Sequence, residues 1–502
     1  MKRRQLLLAT PALLGGCAAL DLGGVHPAPA LQAPAIPREF RAAWVATVAN
    51  IDWPSRPGLP AALQQDEARR AVQQAARLGL NALILQVRTA ADALYPSKLE
   101  PWAEWLSGRQ GEDPGWDPLA FWLREAHAAG LELHAWLNPY RAQPGAAKGP
   151  RSSSHISHQN PDWVRRYGDQ LWMDPAEDGA AAQTLAVARE LLARYALDGL
   201  HIDDYFYPYP VKDETGQWVD FPDEAAWARY QTQTQTQTAG GSLSRADWRR
   251  AQVDALVQRL HASVHELRPT ARFGISPFGL MKPALRPAGI QGFSQFDQLY
   301  ADVERWLSEG WLDYLVPQLY WPRTQTAQAF EPLLRSWQQL NPKGRHLWPG
   351  LFTSKVTEKD DSWPVEEIEA QIGLTRQAQA GGHVHFSWVA LGQNRRGVSE
   401  RLRTQAYAQA ALPPATPWLA DTSPGPLQLE RVRPVGGAPH WQLRGPEEAP
   451  LRRWLWWREA GAGRGELRGP GPFDWPDRAD ALVASAISAT GLEGPRVSWS
   501  RA

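Results

Sequence analysis

From Arg38 onward the chain alternates short apolar runs with longer stretches of helical periodicity. The runs Ala42–Val48, Ala82–Val87, Glu132–Leu137, Gly199–Ile202, Arg272–Ser276, Tyr314–Leu319, Leu347–Phe352 and His383–Trp388 are candidate strands. Between them, Asp66–Leu78, Pro118–Ala129, Gln183–Tyr195 and Trp248–Leu267 repeat apolar residues at helical spacing. Gly79, Gly130 and Gly310 follow such stretches, as suits a position needing positive φ just past a helix. Eight strands alternating with helices predict an α/β fold, a (β/α)8 TIM-like barrel over residues 38–412 with long loops. A doubly wound open sheet shares this alternation, but no G-x-G-x-x-G follows the first strand, so its dinucleotide-binding version has no support.

The pattern changes at both ends. Pro413, Pro414 and Pro417 mark a boundary. Residues 413–502 then carry short alternating runs among Gly and Pro turns, including Pro439–Leu443, Arg453–Arg458 and Ala481–Ile487, which predict a small β-sandwich. Trp454, Trp456 and Trp457 are expected in its core rather than on a glycan. At the other end, Lys2-Arg3-Arg4, a short apolar stretch Leu6 to Leu14 and Leu14-Gly15-Gly16-Cys17 form an export signal ending in a lipobox. Residues 1–17 are therefore a lipoprotein signal with Cys17 as the acylated residue. Ala18 after the cysteine resembles lipoproteins sent to the outer membrane, where the protein would face the periplasm. Arg3-Arg4 also resembles a twin-arginine signal, so the export route stays open. Residues 18–37, rich in Ala, Pro and Gly, read as a flexible tether. The Gln-Thr alternation from Gln231 to Thr238 is expected to be a mobile loop.

Composition narrows the chemistry. With 53 basic and 53 acidic residues the formal charge is zero, so the chain is no polycation for nucleic acid. Cys17 is the one cysteine, which leaves the fold without disulfides. The 26 Trp and 12 Tyr supply rings for core and binding surface alike.

Barrel chemistry gathers at the C-terminal ends of the strands. The fourth run ends in Asp203-Asp204-Tyr205-Phe206-Tyr207-Pro208-Tyr209-Pro210, two acids followed at once by rings. Asp52, Arg88, Asn138, Tyr140, Gln318, Tyr320, Trp321 and Trp388 stand at the ends of the other runs. Carboxyl groups for proton transfer, amides for hydroxyls and rings for pyranose faces suit a sugar better than a phosphate or a nicotinamide. His155 and His158, and His383 and His385, lack any companion zinc motif and are expected to be structural, so no metal or cofactor is expected. No G-x-S-x-G elbow or P-loop is present.

Several of these segments carry a family resemblance. Arg41 to Val48, Asn50 to Ser55, Gln86-Val87-Arg88, Asp92 to Ser97, Leu133 to Arg141, Asp198 to Pro208, Tyr300-Ala301-Asp302 and Tyr314 to Trp321 are similar to motifs of the glycosyl-hydrolase-like family 10. The resemblance spans roughly residues 38 to 405 and departs from the pattern at Asp174 to Gly179. It implies a bacterial envelope protein related to barrel glycosidases. One subset consists of lipoproteins that cleave peptidoglycan glycan strands stripped of stem peptides. The C-terminal part resembles the fibronectin type III-like module often appended in the family. No obligate protein partner is evident.

Glycoside hydrolysis ordinarily uses two carboxyl groups, and common retaining barrels take the nucleophile from the seventh strand. Leu347 to Lys355 offers no acid there. Two schemes stay open. In one, Asp204 is the general acid and Asp203 positions the substrate's acetamido group, which itself attacks. In the other, Asp52, Asp92 or Asp302 acts as base on water. A non-catalytic glycan-binding lipoprotein, or a hydrolase of another polysaccharide, are the rival readings.

Overall fold

The computed structural model describes residues 24–29, 31–147, 149–236, 243–434, 437–445, 452–459 and 462–501. The lipobox and Cys17 lie outside them. Eight parallel strands form the barrel: β1 (Phe40–Val45), β2 (Ala82–Arg88), β3 (Glu132–Leu137), β4 (Gly199–Ile202), β5 (Arg272–Ile275), β6 (Tyr314–Leu315), β7 in two pieces (His346–Leu347 and Gly350–Leu351) and β8 (Gly382–His385). The first piece of β7 pairs with β6 and the second with β8, so the ring closes through this broken strand. Proline has no N–H to give a ladder. Around Pro349, Trp348 N–H donates to Leu315 and Val384 N–H to the Pro349 carbonyl, which carries the pairing across.

Helices follow in turn: α1 (Ala61–Leu78), α2 (Pro118–Ala128), α3 (Asp178–Arg194), α4 (Arg245–Leu267), α5 (Val303–Glu309), α6 (Phe330–Gln339), α7 (Val365–Gln377) and α8 (Val398–Thr404). Alternate residues divide each strand between two cores. Phe40, Ala42 and Trp44 of β1, with Ala82 and Ile84 of β2, fill the barrel interior, while Ala43, Val45, Leu83 and Leu85 pack under the helices. Local signals set the helix ends. Asp117 accepts the Ala120 N–H ahead of Pro118 to start α2, and Gly79 closes α1 at φ 94°.

A polar column runs through the barrel interior. His134 bonds the Glu132 carboxylate at 3.1 Å, and its other nitrogen meets the Tyr314 hydroxyl at 2.8 Å. That hydroxyl also meets His201 at 3.1 Å, whose far nitrogen accepts the Trp44 indole N–H at 3.2 Å. Every ring nitrogen in the column has a partner, as buried polar groups require.

The C-terminal residues form a five-stranded sheet in the order Val25–Pro27, Val497–Arg501, Ala479–Ile487, Arg452–Glu459 and Ala462–Arg468. A hairpin of Gln428–Val432 and His440–Arg444 lies against it, sharing a core of Leu429, Leu443, Leu455, Trp457 and Leu482. Trp457 is buried in this core and Trp454 on the other face of the sheet with Leu412 and Ile487, while Trp456, also expected in the core, is only partly buried there. Val25–Pro27, expected within a tether, instead pairs with the last strand, and Leu31, Ala33 and Ile36 pack on the same module. The module seats on the N-terminal ends of the barrel strands. Arg452 reaches Glu132 at the start of β3 (2.7 Å), and Thr416 accepts from Arg272 at the start of β5 (2.7 Å).

Gln231 to Thr236, expected to be loop, are the last turns of a helix spanning Glu224–Thr236. Glutamine is a good helix former. Thr232 and Thr234 return their hydroxyls to the Ala228 and Tyr230 carbonyls at 3.0 Å, so the polar alternation is compatible with helix.

Candidate active site

The last ladder bond of β4 is Ser276 N–H to the Ile202 carbonyl. Asp203 and Asp204 come directly after it, where strict alternation has ended and neighbouring side chains can share one mouth. Asp203 Oδ2 accepts from the Trp136 indole at 2.9 Å and the Asn138 amide at 3.3 Å. Its Oδ1 is buried and makes no well-formed hydrogen bond, although the Tyr205 backbone N–H lies near enough to the carboxyl to lower its proton affinity. Burial pushes the Asp203 carboxyl up to about 7, against the opposing charge of Arg141 and with the help of Asp204. Asp204 Oδ2 accepts the Tyr209 hydroxyl at 2.5 Å. Burial raises this carboxyl to about 6, with Tyr209 and Gln318 holding it down.

Rings surround the pair. Arg141 lies over the Tyr205 ring at 4.4 Å, and Tyr205 meets Tyr209 edge-on at 5.8 Å. Tyr209 stacks on Phe293 at 5.1 Å, and Phe278 links Phe293 to Trp321 at 4.9 and 5.6 Å. Across the mouth, Tyr320 contacts Phe352 and Phe386 at 4.9 and 5.5 Å. Gly279 permits this closure, because a Cβ there would meet the Gln318 carbonyl at 2.3 Å. Gln318 donates to the Ser276 carbonyl at 2.9 Å.

The structure thus brings Asn138, Tyr205, Gln318, Tyr320 and Trp321 around Asp203 and Asp204. It places five expected ligands elsewhere. Asp52 has both oxygens occupied, by Ala46 N–H at 2.6 Å, Ser387 hydroxyl at 2.8 Å and Val389 N–H at 2.6 Å, so it ties β1 to β8. Arg88 is wholly buried on Glu100 (2.6 Å) and on the Asn138 and Pro139 carbonyls (2.6 and 3.0 Å). It holds the turn that presents Asn138. Tyr140 and Tyr207 are buried, their rings in the core outside the barrel. Trp388 begins a short helix, Trp388–Gly392, and is buried in the outer core that also holds Leu391 and Leu78 of α1.

Of the two spare carboxylates, Asp92 is occupied, its Oδ1 accepting from Thr89 and Ala90, whereas Asp302 faces Lys282 at 3.6 Å with its Oδ1 free of hydrogen bonds. Among the described residues, His261, His265 and Asp313 bring donor atoms within 4.8 Å of one another. Asp313 is already bonded there by His265, Phe273 N–H and Trp418, which makes it a pin for β6. Trp136, Arg141, Tyr209, Phe278 and Phe293 were not singled out as ligands from the sequence. Trp136 is hidden in an apolar run, and its parity with His134 was the signal available.

A barrel whose mouth holds acids ringed by stacked aromatics is of the kind that works on sugars, and the family match makes the chain a glycoside hydrolase. The chain belongs to the Glycosyl hydrolase-like 10 family, whose pattern matches residues 39–365. It is 39% identical over 405 residues to the glycosyl hydrolase YngK of Bacillus subtilis, covering 79% of this chain and 77% of that protein. It is 31% identical over 406 residues to the glycosyl hydrolase DigH of Escherichia coli K12, covering 74% and 89% respectively. Among solved structures, the PgaB (BpsB) glycoside hydrolase domain of Bordetella bronchiseptica aligns at 15% identity and a TM-score of 0.47, covering 72% of this chain and 98% of that one.

Proposed function

We propose that the protein hydrolyses peptidoglycan glycan strands, peptide-free ones, as a lipoprotein anchored through Cys17 in the outer membrane and facing the periplasm. The observation that carries the chemistry is the buried Oδ1 of Asp203, without a well-formed hydrogen bond, on a carboxyl raised to about 7. Such an oxygen holds a proton at neutral pH and is free to give it to a glycosidic oxygen. Asp204, with a lower proton affinity and a Tyr209 bond, stays ionised more readily and suits the partner role. This reverses the order expected from sequence.

Asp203 protonates the leaving oxygen while Asp204 accepts the N–H of the substrate's 2-acetamido group, whose carbonyl oxygen attacks the anomeric carbon. Water then opens the cyclic intermediate, returning its proton to Asp203. Substrate assistance of this kind is a known departure from the two-carboxylate rule. It is favoured over Asp52 or Asp92 as base on water, because both of these are committed to structural bonds. Acetamido sugars of the wall, together with the lipobox, support peptidoglycan as substrate.

Purified peptide-free strands incubated with the protein should yield shortened muropeptides by mass spectrometry. Asp203→Asn and Asp204→Asn should each slow this by roughly 10²–10⁴-fold. Full activity in both variants would overturn the site assignment, and no cleavage by the wild type would overturn the substrate.

A further inference from the structure

The segment Tyr205–Pro210 has two sides. Tyr205 and Tyr209 belong to the rings around the acid pair, whereas Tyr207, Pro208 and Pro210 line a separate cavity of about 240 Å³. Trp218 stands at the rim of that cavity and is 65% exposed, although its neighbours Phe221 and Tyr167 are buried. A lone exposed leucine needs no explanation, but a large ring held out in water over a cavity is informative.

The loop presents this ring in a defined place. Asp213 accepts the N–H groups of Thr215 and Gln217 at 2.9 and 3.0 Å, and Asp213 N–H bonds back to the Gln217 carbonyl at 2.9 Å. Val219 N–H closes the loop on Val211 at 3.0 Å, and the Lys212 ammonium sits 4.7 Å from the Trp218 ring centre. Beneath it, the Tyr207 hydroxyl and Gln298 Oε1 have no hydrogen-bond partner but are shut off inside the wall. Both residues line the same cavity.

The cation there is already matched, and the carboxylate of Asp297 accepts from the Ser294 hydroxyl. Arg249 is bound by Asp220 (2.7 Å), Asp223 (2.7 Å) and the Tyr300 hydroxyl (2.6 Å), so it offers no spare charge to an anion. What remains is a lining of rings with one exposed indole face, which can stack on the apolar face of a sugar ring. Cavities for drug-sized ligands begin near ~300 Å³, so this one has room for a single sugar.

We propose that this cavity is a second saccharide site, built by Trp218, Tyr207 and Gln298, that grips the glycan strand on the far side of the wall carrying Asp204. The proposal rests on the glycan-strand reading above, and it makes the enzyme selective for long strands. In Trp218→Ala, KM for long peptide-free strands should rise roughly 5–10-fold with kcat unchanged, since one sugar contact is worth about 1 kcal/mol. Cleavage of oligosaccharides too short to reach the site serves as the reference, and Trp218→Phe should recover most of the loss. Calorimetric binding of long strands to Asp203→Asn should weaken equally when Trp218→Ala is added. If both KM and that binding are indifferent to Trp218, the second site is wrong. If the wild type cleaves nothing, yet binding to Asp203→Asn depends on Trp218, the site stands and only the hydrolysis reading fails.

Discussion

Asp203 keeps its proton because burial disfavours its anion more than Trp136, Asn138 and Arg141 favour it. In the proposed mechanism the acid is protonated and its partner ionised, so activity should be lost as pH falls through about 6 or rises through about 7. A pH profile of kcat/KM on glycan strands checks both limbs. Trp136→Phe removes a donor to the carboxylate and should move the alkaline limb upward with modest loss of rate. The same burial acts on stability. Both carboxyls bind protons more tightly folded than unfolded, so stability falls as pH rises from about 4 through about 7. Asp203→Asn should therefore be more stable than the wild type at pH 8, by roughly 2–4 kcal/mol, and should lose that advantage by pH 4; urea denaturation at the two pH values measures it. That Asp203 and Asp204 stand together among rings at the end of β4 was legible in the sequence, because the apolar run stops at two acids followed at once by tyrosines. Arg88 was misplaced because its partner Glu100 and its burial are facts of tertiary structure, invisible at a strand end.

At the scale of elements, strand boundaries followed the apolar runs closely for β2, β3 and β4, where every residue is buried. They failed at β6 and β7, where Pro317 and Pro349 interrupt the ladder and the long runs become two-residue pieces joined by isolated bridges. The Gln-Thr segment misled because alternation of two polar types carries no burial signal, so helix propensity decided it. The interior column could not have been read at all, since His134, His201 and Tyr314 come from three strands. Its arithmetic is testable. Tyr314→Phe leaves a donor on His201 and an acceptor on His134 unmatched in a dry interior, and should cost about 2–3 kcal/mol by chemical denaturation. Because the column does not touch Asp203, the pH profile should keep its limbs.

At the scale of the whole molecule, the module and the mouth occupy opposite ends of the barrel. Arg452 reaches from the module to Glu132, which is fully enclosed and shared with Arg272 at 2.8 Å. These two guanidinium groups, against burial, hold the Glu132 carboxyl well below the usual range. Arg452→Ala leaves one charge short and should lower stability by about 3 kcal/mol at neutral pH. As Glu132 has its proton affinity lowered on folding, that penalty should shrink as pH falls below about 4. Thermal melts at several pH values report it, and turnover on glycan strands should persist at permissive temperature.

The strand Val25–Pro27 gives the molecule a sense of direction. It stitches the chain's beginning to its last strand on the face away from Asp203. If Cys17 is acylated as proposed, only about seven residues separate lipid from folded body, a leash of at most ~25 Å. The catalyst would stand on the membrane like a short post, back to the bilayer and mouth toward the wall, working a thin shell of the periplasm rather than sweeping its depth.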